Sequence, residues 1–165
     1  MKRFVLILLC LFFLVLDNTL MPFVGIKGCF PSLLFVFAIL FSIVNGYYEA
    51  ILIGSFSGII QDIYFLNVFG INSITNLLLC LLAAYIGENI LKHKKLVPVI
   101  FTLVITAVKY ILVYILYRAT NIKMNFDGII IMPVYNMIIA LLMYSWIYKI
   151  SNKPYMKTEW KFNEK

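Results

Sequence analysis

The sequence predicts an all-helical membrane protein with six transmembrane helices. Hydrophobic residues make up 64% of its 165 residues and charged residues only 13%, whereas a soluble domain is about 45–50% apolar and about 25% charged. Since a membrane-crossing helix needs about 20 residues, the chain has room for about five to seven spans and no extramembrane domain. The composition therefore excludes a water-soluble enzyme and a soluble nucleic-acid-binding domain.

Six apolar stretches account for these helices, and the connections between them are short and carry polar or helix-breaking residues. The second stretch, at about 15 residues, is short for a hydrocarbon core of about 30 Å, so we expect local bilayer thinning or a tilted neighbour. The six stretches form one transmembrane domain over residues 1–150, which is followed by a short basic tail over 151–165. The six stretches cover residues 4–20, 30–45, 48–66, 71–91, 96–117 and 128–150.

The distribution of Lys and Arg predicts that both termini are cytoplasmic. If the amino terminus is inside, ten basic residues lie on the cytoplasmic side, three lie outside, and Lys109 lies within a span. Cytoplasmic loops carry such an excess of basic residues. The formal net charge of +7 therefore indicates orientation and attraction to anionic membrane lipid, not to nucleic acid. We expect a multi-pass membrane protein.

Ionisable residues inside the spans need partners, because each costs about 2.5–3.5 kcal/mol to insert near the bilayer centre. Asp17, Asp62 and Lys109 fall at similar depths in the outer half of the membrane. We expect Lys109 to form an ion pair with Asp62 or Asp17. This set is either an ion pair that locks the helices or part of a proton or substrate pathway. Glu88 is expected to pair with Lys92 one turn later.

Small residues form a stripe on the third span. Ala50, Gly54, Gly58 and Asp62 recur at intervals of four, which places three small side chains and a carboxylate on one face of a helix. Such a face lets another backbone approach closely. The neighbouring helix belongs either to this chain or to a partner protein. Gly87 likewise permits a close helix crossing near the cytoplasmic face.

The sixth span contains Pro133 and Asn136. A proline within a membrane helix frees a backbone carbonyl, which a nearby amide helps to satisfy. The pair predicts a kink, with a broken helix that lines a cavity as the alternative.

The residues for common catalytic or metal sites are missing from the spans. His93 is the only histidine and lies in a basic loop, and the three cysteines have no metal-binding spacing. Asp17 and Asp62 could share a proton as a carboxylate pair, but neither has the sequence context of the lipoprotein signal peptidases. We expect neither enzyme activity, nor a cofactor, nor a metal.

Four sequence elements follow one another in the segment 31–91. They are Pro31-Ser32-Leu33-Leu34 at a helix start, Gly54 to Asp62 with its spaced glycines, the turn Gly70-Ile71-Asn72, and Tyr85-Ile86-Gly87 at a helix end. With these elements in this order, the segment resembles the rod shape-determining protein MreD family. Ser32 stands where an acidic residue is usual in that family, and we expect Ser32→Ala to be mild.

This resemblance implies a non-catalytic subunit of the bacterial cell-elongation machinery that lies in the inner, or plasma, membrane. Such a subunit scaffolds lateral peptidoglycan synthesis with MreC, the actin-like MreB, RodA and an elongation-specific penicillin-binding protein. The implied partners are these proteins and membrane lipid, without nucleic acid.

The MreD family is also similar in its six-helix layout to the substrate-binding subunits of energy-coupling-factor vitamin transporters. A subunit of that kind is the alternative function. Those subunits typically present a small-x3-small surface on the first helix, whereas the segment 4–13 has neither Ala nor Gly. The first span therefore disfavours the transporter.

Overall fold

A computed structural model describes residues 2–25, 29–64, 69–89, 96–121, 128–154 and 156. Within these ranges the chain folds into six α-helices, and a short 3₁₀ helix, Met21–Val24, follows the first of them. The α-helices are α1 (Lys2–Thr19), α2 (Leu33–Asn45), α3 (Tyr47–Tyr64), α4 (Ile71–Asn89), α5 (Leu96–Ala119) and α6 (Gly128–Ser151).

Three of the helices are long and apolar enough to cross a membrane. They are α4, α5 and the part of α6 from Ile130 to Ser151, and α2 is a shorter apolar helix. The chain is therefore an all-α membrane protein. That α1, α2 and α3 also span the bilayer remains a prediction from the sequence.

Helix α2 lies at the centre of the bundle and is surrounded by the other five helices. Every side chain from Leu34 to Ile43 is 1% exposed or less. Its 13 residues rise roughly 20 Å, well short of a hydrocarbon core of about 30 Å. Because protein encloses α2, the bilayer thinning that we expected around it is not required. Its start instead lies inside the protein and needs polar partners there.

Contacts between helix ends define one end of the bundle, which we call the near end. There the ammonium of Lys2, in α1, lies 2.8 Å from the carboxylate of Glu49, in α3. Asn45, at the end of α2, donates to the hydroxyl of Ser151, at the end of α6, over 3.0 Å. Gly46 makes the tight turn from α2 to α3 with a φ of +86°. Helices α1 and α3 therefore run in one direction, and α2 and α6 run in the opposite direction.

The chain returns to the bundle after α6, because Met156 is completely buried. The rest of the predicted tail, over 157–165, lies outside the described residues, as do Lys92, the expected partner of Glu88, and His93.

Candidate functional site

Polar side chains gather at the end of α2 that lies opposite the near end. This polar cluster forms because α2 begins deep inside the protein. The Ser32 N–H donates to Asn136 Oδ1 over 3.0 Å, and Asn136 lies roughly 12 Å along α6 from its first residue. Lys109, another member of the cluster, lies roughly 15 Å before the last residue of α5. Both residues are therefore far from the ends of their own helices. The free N–H groups at a buried helix start must find acceptors. The members of the polar cluster are Asp17, Ser32, Ser57, Gln61, Asp62, Asn76, Thr106, Lys109 and Asn136.

Asp17 supplies acceptors for the start of α2. Its Oδ1 accepts the Leu33 N–H over 2.6 Å, and its Oδ2 accepts the Leu34 N–H over 3.1 Å and the Ser32 hydroxyl over 3.0 Å. A carboxylate at a helix N-terminus also offsets the positive end of the helix dipole. Asp17, which is 7% exposed, therefore binds α1 to the start of α2.

Asp62 has the same role at the start of α4. Its carboxylate accepts the Asn72 N–H over 2.9 Å, the Ser73 N–H over 2.8 Å, and the Ser73 hydroxyl. Gly70, with a φ of +103°, provides a turn that L side chains rarely adopt. The aspartate and the glycine turn, which the sequence resemblance singled out, thus form one helix-capping unit.

Amide and hydroxyl groups connect α2, α3 and α4 between these two carboxylates. The Ser32 hydroxyl oxygen accepts the Phe35 N–H over 3.3 Å and Gln61 Nε2 over 3.2 Å. Asn76 Nδ2 donates to Gln61 Oε1 over 2.9 Å and to Ser57 Oγ over 3.3 Å. Ser32 is therefore an N-cap residue with several partners, which gives it a structural role at the start of α2.

Lys109 lies against this network. Its ammonium donates to Asn76 Oδ1 over 2.7 Å and lies 3.9 Å from the centroid of the Phe35 ring. Among the contacts that the structure describes, Lys109 does not form the predicted ion pair with Asp17 or Asp62. Both carboxylates bind helix N–H groups instead, so an amide oxygen and an aromatic face stabilise the cation.

Asn136 joins α6 to the same cluster. Besides accepting the Ser32 N–H, its amide Nδ2 lies 3.5 Å from Thr106 Oγ1 in α5. The amide that we expected to serve the carbonyl freed by Pro133 therefore binds two neighbouring helices. Helix α6 continues through Pro133 without a break.

The stripe of small residues on α3 faces α4 of the same chain. A Cβ atom added at Gly58 would lie 2.5 Å from Ser73 Cα, and one at Gly54 would lie 3.0 Å from Cys80 Cβ. Ala50 is completely buried. Of the two alternatives, the structure thus shows the contact within one chain, at the most extensive helix–helix interface of the bundle.

The remaining residues singled out from the sequence lie at helix ends. A Cβ atom added at Gly87 would collide with the backbone of Ile43, so α4 and α2 cross with their backbones almost touching. Pro31 is buried just before α2. Tyr85 is 59% exposed, so its side chain lies on the surface of the bundle.

Two cavities, of about 150 and 140 Å³, lie beside the polar cluster. Ser32, Asn72, Lys109 and Met132 line both of them. Within the described ranges, no group of three or more His, Cys, Asp and Glu side chains is arranged to hold a metal ion.

Sequence analysis identified the charged members of the cluster but not the side chains that connect them. From the sequence, Gln61 and Asn76 are amide residues within predicted spans that have no assigned partner, and Asn136 is assigned to Pro133. The available signal was the presence of three amides in apolar helices, since buried amides require partners. Which helices they join depends on the depth of α2, which the sequence does not reveal.

Comparison with known proteins identifies the family. The profile of the rod shape-determining protein MreD matches residues 1–153. No curated protein and no solved structure is significantly similar to the chain. The match extends beyond the segment 31–91 that carries the resemblance and takes in all six helices. The chain therefore belongs to the MreD family, whose role is the determination of rod shape.

Proposed function

We propose that the protein is a non-catalytic integral membrane subunit of the bacterial cell-elongation machinery. In this role it scaffolds lateral peptidoglycan synthesis with MreC and MreB, and it also contacts RodA and an elongation-specific penicillin-binding protein. The observation that carries the proposal is the family match over residues 1–153. It supports a role in rod shape, and the partners follow from the family resemblance.

The chemistry of the polar cluster supports a non-catalytic role. Asp17 and Asp62 each accept hydrogen bonds from two N–H groups at a helix start and from one hydroxyl. A carboxylate held in this way stabilises a helix end. Helix capping is therefore sufficient to account for Asp17 and Asp62 without a catalytic role.

We further propose six spans with both termini in the cytoplasm of the bacterial cell. The alternating direction of the helices supports this topology, since the starts of α1 and α3 lie beside the ends of α2 and α6. The excess of Lys and Arg on the cytoplasmic side supports the orientation.

The scaffold surface is expected to lie outside the α3–α4 contact, because Gly54 and Gly58 are already covered by α4. Apolar side chains remain exposed on the outer face of α1, among them Phe4, Leu8 and Phe12. Both lipid and the membrane helices of partner subunits can contact such faces.

The proposal is tested by crosslinking and affinity purification of the tagged full-length protein from native membranes. Recovery of MreC, MreB, RodA or a penicillin-binding protein is the expected result. Gly58→Leu should lose these partners because it disrupts the α3–α4 contact. Ile59→Leu, at a neighbouring position that is 42% exposed, should keep them.

Recovery of an ATPase with its membrane coupling subunit would contradict the scaffold function and favour the energy-coupling-factor transporter. Recovery of neither set from cells that express the wild-type protein at its native level would also contradict the proposal.

A further inference from the structure

The two cavities beside Lys109 have the size and lining of a binding site. A cavity needs only about 10–15 Å³ of internal volume to hold one water. The first cavity has about 150 Å³, which leaves room for a much larger group. Val113 and Met132, which line the first cavity, are half-exposed, and the cavity therefore reaches the surface of the bundle.

The Lys109 ammonium has hydrogen-bonding capacity that the described part of the chain does not use. An ammonium carries three N–H donors, and among the described residues Lys109 makes one hydrogen bond, to Asn76, while the Phe35 ring lies against it. Since Lys109 lines both cavities, an acceptor there could bind the remaining donors. A half-buried cation within a membrane favours an anionic acceptor.

The charges around the cavities largely offset one another, and one of the carboxylates, Asp17, lines the second cavity. Asp17 and Asp62 are the carboxylates of the cluster, and each binds the positive end of a helix dipole, equivalent to about half a charge. The two helix ends therefore offset about one carboxylate charge, and Lys109 offsets the other. The cluster is close to neutral before any ligand binds.

From this geometry we infer that the cavities bind a phosphate group next to Lys109. The phosphate belongs either to a lipid headgroup or to a soluble phosphate compound. Polar side chains from Ser32, Asn72 and Asn136 line the cavities near the ammonium. Leu14, Phe30 and Met132 add an apolar wall that suits the glycerol and first methylene groups of a lipid. This inference does not depend on which partners the protein has.

The test is isothermal titration calorimetry of the full-length protein in a maltoside detergent, which carries no phosphate. Three probes are titrated: short-chain phosphatidylglycerol, inorganic phosphate, and neutral diacylglycerol with the same acyl chains. Binding of phosphatidylglycerol alone identifies a lipid headgroup, and binding of inorganic phosphate as well identifies phosphate itself. Equal binding of the diacylglycerol, or no binding of either phosphate probe, would overturn the inference.

Variants locate the site. Lys109→Gln should weaken phosphate binding about tenfold or more, because it removes a charged hydrogen bond, and Lys109→Arg should retain most of it. Lys149→Gln is the matched control, since this lysine is exposed at the near end, and it should change binding less than about twofold. If Lys109→Gln does not fold, Met132→Trp fills the cavities without removing a charge and should also abolish binding. Undiminished binding in a folded Lys109→Gln or Met132→Trp protein would refute the site.

Discussion

Replacing Gly58 by alanine should destabilise the bundle much more than the same replacement at Gly54. At Gly58 the added Cβ would lie 2.5 Å from Ser73 Cα and 2.6 Å from the Asn72 carbonyl oxygen, and both neighbours are backbone. Ordinary contact begins at 3.4 Å, so α3 and α4 must separate locally by about 1 Å. At Gly54 the closest neighbours are at 3.0 and 3.1 Å, and a shift of a few tenths of an ångström suffices.

The cost at Gly58 has two parts. Overpacking of a close contact typically costs about 1–3 kcal/mol. Moving Ser73 also lengthens its 2.8 Å N–H bond to Asp62, and a hydrogen bond to a charged group contributes about 1.5–3 kcal/mol. Alanine regains about 1 kcal/mol of helix propensity. The expected net loss is about 2–4 kcal/mol for Gly58→Ala and at most about 1 kcal/mol for Gly54→Ala.

The measurement is the free energy of unfolding in mixed micelles, from titration with a denaturing detergent followed by circular dichroism. Ser55→Ala is the matched control, because Ser55 lies on the same helix and is only half-buried, and it should change stability by less than about 0.5 kcal/mol. If Gly58→Ala and Gly54→Ala differ by less than about 0.5 kcal/mol, the α3–α4 approach does not depend on Gly58 and the reasoning fails.

Three further predictions concern the polar cluster and use the same unfolding assay. Ser32→Ala should cost about 1–3 kcal/mol, since it leaves buried donors without an acceptor, and a change below about 0.5 kcal/mol would instead support the mild effect expected from the sequence. Asp62→Asn should cost about 1–2 kcal/mol by removing the negative charge from the start of α4, and unchanged stability would argue against that cap. In a double-mutant cycle, Lys109→Met and Asn76→Leu should couple by about 0.5–3 kcal/mol, whereas Lys109→Met and Asp62→Leu, which share no hydrogen bond, should couple more weakly. Rescue of Lys109→Met by Asp62→Leu would instead reinstate the direct ion pair.

The helical membrane architecture could be predicted because it depends on composition and on runs of apolar residues. The lengths of α5 and α6 and the close approach at Gly58 also follow from local sequence, since a glycine every four residues defines one helix face. Whether that face meets the same chain or another chain depends on tertiary contacts, and only the structure shows that it meets α4.

The partner of Lys109 was predicted incorrectly for a related reason. Charge alone favours a carboxylate, but Asp17 and Asp62 are already bound to helix starts. For Asp17 that competition arises because α2 is short and enclosed, so that its first N–H groups lie inside the protein, whereas Asp62 is held by the first N–H groups of α4. The positions of charged residues along the sequence indicate their depth in the membrane. They do not show which carboxylates are already occupied by the N–H groups of a helix start.

Rod shape in the native bacterial host tests the central claim most directly. Depletion of the protein should convert rod-shaped cells to round cells, because lateral wall synthesis loses a membrane subunit. A plasmid-borne wild-type copy should restore the rods, whereas a Gly58→Leu copy should not. Depleted cells that continue to elongate as normal rods would contradict the assignment of this chain to the cell-elongation machinery.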